Sequence, residues 1–187
     1  MQTITLRTVH VLILTMLVGS FGFLPAVAAE KAKKEAVKKE PAKKVLTEKE
    51  IRQQTYMKFL ESNGYRPELD KDGDVAFKHE GGNYIIQVDE NDNVYFRLIY
   101  PNFWEIESEE ERQDVLLAGN FANSDIKCAK VFMLRDNVWA VVEIFLSKPE
   151  DYEKILSRSI SSIQSVVGSF RSKMQELKND RMKSGKS

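Results

Sequence analysis

The sequence has one cysteine, Cys128, and only two histidines, His10 and His79. A single thiol closes no disulfide within its own chain, and no His/Cys cluster is available to ligate a transition metal. Cys128 reads as a small buried or edge side chain; a disulfide-linked dimer or a reactive thiol is the alternative. Glycine-rich phosphate loops and dinucleotide fingerprints are also missing, since Gly81-Gly82 is a turn signal and nothing more. There is no nucleophile elbow, and His79 would need a serine or Cys128 brought to it by folding to build a hydrolytic triad. Carboxylate pairs such as Glu105 and Glu107 could in principle serve a glycosidase, but any acidic protein offers such pairs. These absences leave no reaction to name, no cofactor to expect and no catalytic residue to single out.

What is present divides into unlike parts, although the 187 residues carry no net charge overall. Residues 1–29 hold one early positive charge, Arg7, then an apolar stretch from Val9 to Leu24. Small residues follow, with Val27 and Ala29 at the two positions a signal peptidase inspects. This reads as a secretory signal peptide with cleavage near Ala29, placing the mature protein in the periplasm or outside the cell. An uncleaved anchor is the competing reading, and membrane association is expected only if this segment is retained. No cysteine ends the apolar run to take a lipid, and no later segment approaches the roughly 20 apolar residues that span a bilayer. Residues 30–46 hold seven lysines against three glutamates, with Pro41 breaking any helix and no apolar face to bury. They read as a charged tether, with attraction to acidic lipid head groups as the other possibility.

From residue 47 the patterns are those of a folded domain. Thr47 with Glu50 forms a capping box, Leu46 and Ile51 occupy the staple positions, and Gly64 ends the helix with Tyr65 folding back on it. Three strand-like segments follow, Val75–His79, Tyr84–Val88 and Val94–Tyr100, each bounded by turn formers; connections this short imply an antiparallel meander. Ser108 with Glu111 makes a second capping box, opening a helix of small residues that ends near residues 123–125. The densest apolar run of the domain, Ile126 to Leu146, is a hairpin turning at Asp136-Asn137. Along its second strand Trp139, Val141, Glu143 and Phe145 share one face, and Val138, Ala140, Val142, Ile144 and Leu146 the other. A last helix starts at Ser147-Lys148-Pro149-Glu150 and keeps an apolar stripe from Ile155 to Leu177. At about thirty residues, ~45 Å, it outruns a small sheet, so its last third should fray, project or pair with another subunit.

The expected fold is therefore α+β: a mostly antiparallel five-stranded sheet packed with helices, in the order α-β-β-β-α-β-β-α. It forms a single domain over residues 47–180, followed by a disordered tail at 181–187. The stretches FLESNGYRPELDKDGDVAFKHEGGNYIIQVDENDNVYFRL, LLAGNFANSDIKCAKVFML and NVWAVVEIFL, with the long amphipathic helix after them, resemble the YbjN-type family. That family shares the fold of type III secretion chaperones. The resemblance covers most of residues 50–175 and carries no catalytic signature. It implies a small protein, often dimeric, that binds segments of other proteins.

Two clusters, Asp70/Asp72/Asp74 and Asp89/Asn91/Asp92/Asn93, offer oxygen ligands at the close spacing of a calcium loop. From Asp70 the sixth and twelfth positions are Val75 and Gly81; from Asp89 they are Val94 and Tyr100. Both lack the required glycine and glutamate, so turns account for them. Residues 51–150 carry a net charge of −8 and residues 151–187 a net charge of +4. The acidic body argues against nucleic acid as a partner. The leading functional expectation is an exported, non-enzymatic protein-interaction or chaperone-like module that binds a protein partner or itself. The alternative is a periplasmic small-molecule-binding or enzymatic domain. Its pocket would lie between sheet and helices and draw on Tyr84, Tyr95, Arg97, Tyr100, Trp104 and Trp139, with His79 converging on Arg97.

Overall fold

Thr47 opens the first helix as the sequence requires: its side chain accepts the Glu50 N–H while the Glu50 carboxylate accepts the Thr47 N–H. The structure, a computed structural model, describes residues 45–184, which all belong to one compact unit. The signal segment, nearly all of the tether and the last three residues lie outside that range.

Helix α1 (Glu48–Ser62) ends in a Schellman motif. The Gly64 N–H reaches the Glu61 carbonyl and the Tyr65 N–H the Leu60 carbonyl, with Gly64 at φ +83° where a side chain would be strained. Then follow β1 (Glu68–Leu69), β2 (Val75–His79), β3 (Gly82–Ile86), β4 (Tyr95–Glu105), α2 (Glu109–Asp125), β5 (Ala129–Leu134), β6 (Asn137–Phe145), a single 3-10 turn at Pro149–Asp151, and α3 (Tyr152–Ser184). The strands form one six-stranded sheet in the order β1-β2-β3-β4-β6-β5, with every neighbouring pair antiparallel.

Several expectations are corrected. The sheet has six strands rather than five: β1 is two exposed residues with no apolar pattern, paired to Ala76 and Val75 of β2. The second expected strand begins two residues earlier, because Glu80 and Gly81 both take positive φ (47° and 81°) and close a two-residue turn. Gly82 thus already pairs with His79. That strand stops before Val88, whose N–H is taken by the Asp74 carboxylate at 2.8 Å. The β5–β6 turn is Arg135-Asp136, one residue earlier than expected, with Arg135 at φ 57°. Cys128 is exposed in the turn entering β5, at φ 67°.

All three helices pack against one face of the sheet. Val138, Ala140 and Val142 of β6 belong to the same core as Leu60 of α1, Val115 and Ala118 of α2, and Ile163 and Phe170 of α3. Tyr152 joins α1 to the sheet, with its ring edge-on to Tyr56 and Phe59 and stacked on Phe96. Such buried aromatics supply much of a small domain's apolar contact area.

The last third of α3 neither frays nor projects. Ser169 meets Asp125, Lys173 lies over the Phe121 ring, and Arg181 pairs with Asp114 and Glu110. As α3 advances, α2 is read backwards, so the two helices run antiparallel. The expected disorder from Arg181 is therefore corrected as far as Ser184, because the Arg181 guanidinium finds two carboxylates on the first turns of α2.

Candidate functional site

The sheet has a second face, opposite the helices. Its centre is the cross-strand pair Ile99 and Val141, both buried yet not part of the main core. On one side of this pair Arg97 and Glu143 oppose each other, with Nε and Oε1 2.9 Å apart. Lys130 pairs with the other oxygen of Glu143, and Arg97 donates to Gln87 at 2.8 Å. Burial pushes the Glu143 carboxyl up, but Lys130, Tyr95 and Arg97 together outweigh it and hold it below the ordinary value. Burial, and then the adjacent Glu143, push the Tyr95 hydroxyl up. The charges on this face thus neutralise one another, although the buried Arg97 Nε–H is close to Glu143 without making a hydrogen bond.

Around that network lie aromatic side chains. Tyr95 and Phe145 are cross-strand partners with ring centroids 5.6 Å apart, and Phe145 is 76% exposed. Phe132 and Trp139 form the next such pair, at 6.4 Å. A bulge sets the position of Trp139. Between Tyr100 and Trp104 the register of β4 slips, so that Pro101, Asn102 and Phe103 stand opposite Trp139 alone. Asn102 takes φ 51°, and its side-chain oxygen accepts the Trp139 indole N–H at 2.8 Å.

The free edge next to this face is blocked at its middle. β5 is the last strand, and Asn123 of α2 lies along it. The side-chain oxygen of Asn123 accepts the Val131 N–H (2.7 Å), and its amide donates to the Val131 carbonyl (3.0 Å). One side chain thereby satisfies the backbone groups that an added strand would use.

The six residues expected to line one pocket fall on two faces of the sheet. Tyr95, Arg97 and Trp139 lie on the open face. Tyr84, Tyr100 and Trp104 lie on the helix side. There Tyr84 stacks between Phe77 and Tyr100, and burial pushes its hydroxyl up to about 12. Gly82 allows this stack, since a Cβ there would sit 3.1 Å from the Tyr84 ring and 3.4 Å from that of Tyr100. His79 contacts Tyr65 and Tyr84 on the helix side, so it does not converge with Arg97. Phe132, Phe145 and Lys130 were missed as site residues, although strict alternation along β6 already placed Phe145 beside Trp139.

A second concavity lies past the end of the sheet, between the start of α2 and the end of α3, with a volume of about 770 Å³. Trp104 lies in it, its ring edge-on to Phe170 and its indole N–H on Glu111 at 3.0 Å. Ser108 caps α2 through the Glu111 N–H, but the capping box is only half made. The Glu111 carboxylate turns instead to the indole and to the Glu107 N–H at 2.7 Å.

The aspartate clusters behave as turn caps. Asp70 accepts the N–H groups of Asp72 and Asp74, and Asp92 those of Val94 and Tyr95. Among the described residues no group of three or more His, Cys, Asp or Glu is placed to hold a metal ion. Nor is any described helix long and apolar enough to cross a membrane.

No protein-family model matches the chain, and no curated protein does. Among solved structures the chain is similar to an uncharacterized protein from Methanothermobacter thermautotrophicus. The identity is 14% over 69% of this chain and 98% of that one, with a TM-score of 0.44.

Proposed function

We propose that this domain is an exported protein-binding module, chaperone-like in character, that takes an extended segment of another protein on the open face of its sheet. The observation that carries the reading is the aromatic frame of exposed Phe145 and half-buried Tyr95, Phe132 and Trp139 around charges that pair with one another. Such a face gains little from a charged ligand and most from apolar side chains that cover its aromatic rings. Asn123 occupies the middle of the β5 edge, so the partner lies across the face instead of adding a strand there. The body's net charge of −8 over residues 51–150 favours a segment with basic flanks. Export follows from the reading of residues 1–29 as a signal peptide. Binding of protein segments is also what the resemblance of the sequence to the YbjN-type family implies.

The test uses the chain from residue 30 and a displayed library of unstructured peptides. Selected peptides should be apolar or aromatic at alternate positions with flanking Lys or Arg. They should bind with micromolar affinity and change Trp139 fluorescence. Phe145→Asp should weaken them about tenfold while leaving the thermal melt in place. Binding that ignores substitution of Phe145 and Trp139 would sink the reading. Size-exclusion chromatography with light scattering on the same chain reports whether a second copy takes that face instead.

A further inference from the structure

We infer that Asn102 is a specificity-determining residue of the open sheet face. It takes up the Trp139 indole N–H, fixes the ring, and leaves a partner segment only the carbon surface of that ring to contact. This role rests on the reading of that face as the binding surface, and the two can be told apart by experiment.

The bulge of β4 does two things at Asn102. It turns the backbone there to φ 51°, a left-handed geometry that Asn, Asp and Gly adopt most readily. It also brings the side chain to β6, where the amide oxygen accepts the Trp139 N–H at 2.8 Å. An indole nitrogen can only donate, so it is the oxygen of the amide that faces the ring. Gly would suit the backbone without supplying an acceptor, whereas Asn and Asp do both. The bulge alone needs no acceptor; the acceptor serves the indole.

Trp139 is thereby held from both neighbouring strands. Phe132 of β5, its cross-strand partner, has its ring centroid 6.4 Å away, and Asn102 of β4 holds its one polar atom. The ring is half-buried on the face that carries no helix, so its remaining surface is open to a partner. With the N–H used inside the domain, that surface acts as a hydrocarbon. An aliphatic or aromatic side chain laid on it gains contact. A side chain such as Gln gives up water for its acceptor and finds the indole donor already taken, which costs binding. Without the Asn102 oxygen the same indole would offer its donor, and the preference for apolar side chains at this point would narrow.

The experiment uses the full chain with Trp104→Phe, which leaves Trp139 as the sole tryptophan. Exchange of the indole proton with water, followed by NMR, reads the hydrogen bond in the free protein, and it should be slower than in N-acetyltryptophanamide. Asn102→Gly keeps the backbone geometry and removes the acceptor. It should speed the exchange about fivefold, as the loss of one hydrogen bond would. Asn102→Asp keeps the acceptor and should stay close to the parent. Circular dichroism checks that each variant folds. The displayed peptide library is then selected on all three in high salt, which screens the charge that Asp adds. Peptides from the parent and from Asn102→Asp should hold few Gln, Asn or Ser residues at their alternate apolar positions, and those from Asn102→Gly about threefold more. A residue that only supported the fold would shift the melting temperature and leave the selected residues alone. Indole exchange unchanged by Asn102→Gly, identical selections on the parent and Asn102→Gly, or Asn102→Asp behaving like Asn102→Gly would each overturn the inference. Failure of the parent to select any peptide would instead sink the reading of the sheet face, and this role with it.

Discussion

Arg97 and Glu143 are direct cross-strand partners in the middle of the sheet, Nε to Oε1 2.9 Å, on the face that carries no helix. An ion pair on a solvent-facing strand is usually worth little, but this one is largely shielded and shared with Lys130. Glu143→Ala leaves two cations without their anion and should cost about 2 kcal/mol in urea unfolding. Arg97→Met with Glu143→Leu should recover much of that loss.

The pH dependence of the same group has a definite sign. Glu143 in the folded protein titrates below its ordinary 4.5, despite burial that pushes the other way. Its stabilisation is therefore complete above 4.5 and is lost as pH falls through the folded value. Unfolding free energies measured from pH 6 down to about pH 3 should fall less steeply in Glu143→Gln than in the parent.

Asp74 should behave in the opposite way. Burial raises its carboxyl above the ordinary 3.8, with the Val88 N–H pulling it down and Asp70 pushing it further up. Its negative charge thus opposes folding at neutral pH, and the penalty disappears once pH falls below 3.8. Asp74→Asn keeps an oxygen for the Val88 N–H and removes the charge. It should be more stable than the parent at neutral pH, by a margin that shrinks in acid.

The β2–β3 turn stores strain at Glu80, a non-glycine residue at φ 47°. Asparagine is well suited to that position in a turn with two positive φ values. Glu80→Asn should gain about 0.5–1 kcal/mol, even though Glu80 gives up its 2.8 Å contact with Gln164. A melting temperature higher by a few degrees would bear this out, and an unchanged or lower one would show that the Gln164 contact dominates.

Asn123→Ala should do more than destabilise. It leaves the N–H and carbonyl of Val131 without their partners, at about 1–3 kcal/mol. It also opens the edge of β5 to another strand. Light scattering should show concentration-dependent association in the variant beyond that of the parent.

Most elements could be read from the sequence because local chemistry agreed with the final packing. Thr47, Gly64 and Pro149 each mark a boundary that the backbone respects, and strict alternation along β6 separated its two faces correctly. What could not be read depended on distant partners. The two residues of β1 acquire strand geometry only by pairing with β2, and β4 runs past Tyr100 only because a bulge restores its register with Val138. The end of α3 looked free because Arg181 finds Asp114 and Glu110 only once the chain has folded. The six residues proposed for one pocket are split between faces because Tyr95 and Arg97 alternate with Tyr100 along β4, and the pairing of β3 and β6 with β4 sets Tyr84 with Tyr100 and Trp139 with Arg97. The bulge sets four residues of β4 against two of β6, both even numbers, so Trp104 keeps the face of Tyr100.

Tethering α3 to α2 couples the last turns of α3 to the far margin of the sheet. Asn123 reaches Val131 only while α2 stays in place, and α2 is held along its outer length by the turns of α3 beyond Gly168. A protease that clipped those turns would spare the strands and most of the core. It would nonetheless loosen the side chain that guards the margin, and so open that margin to an added strand.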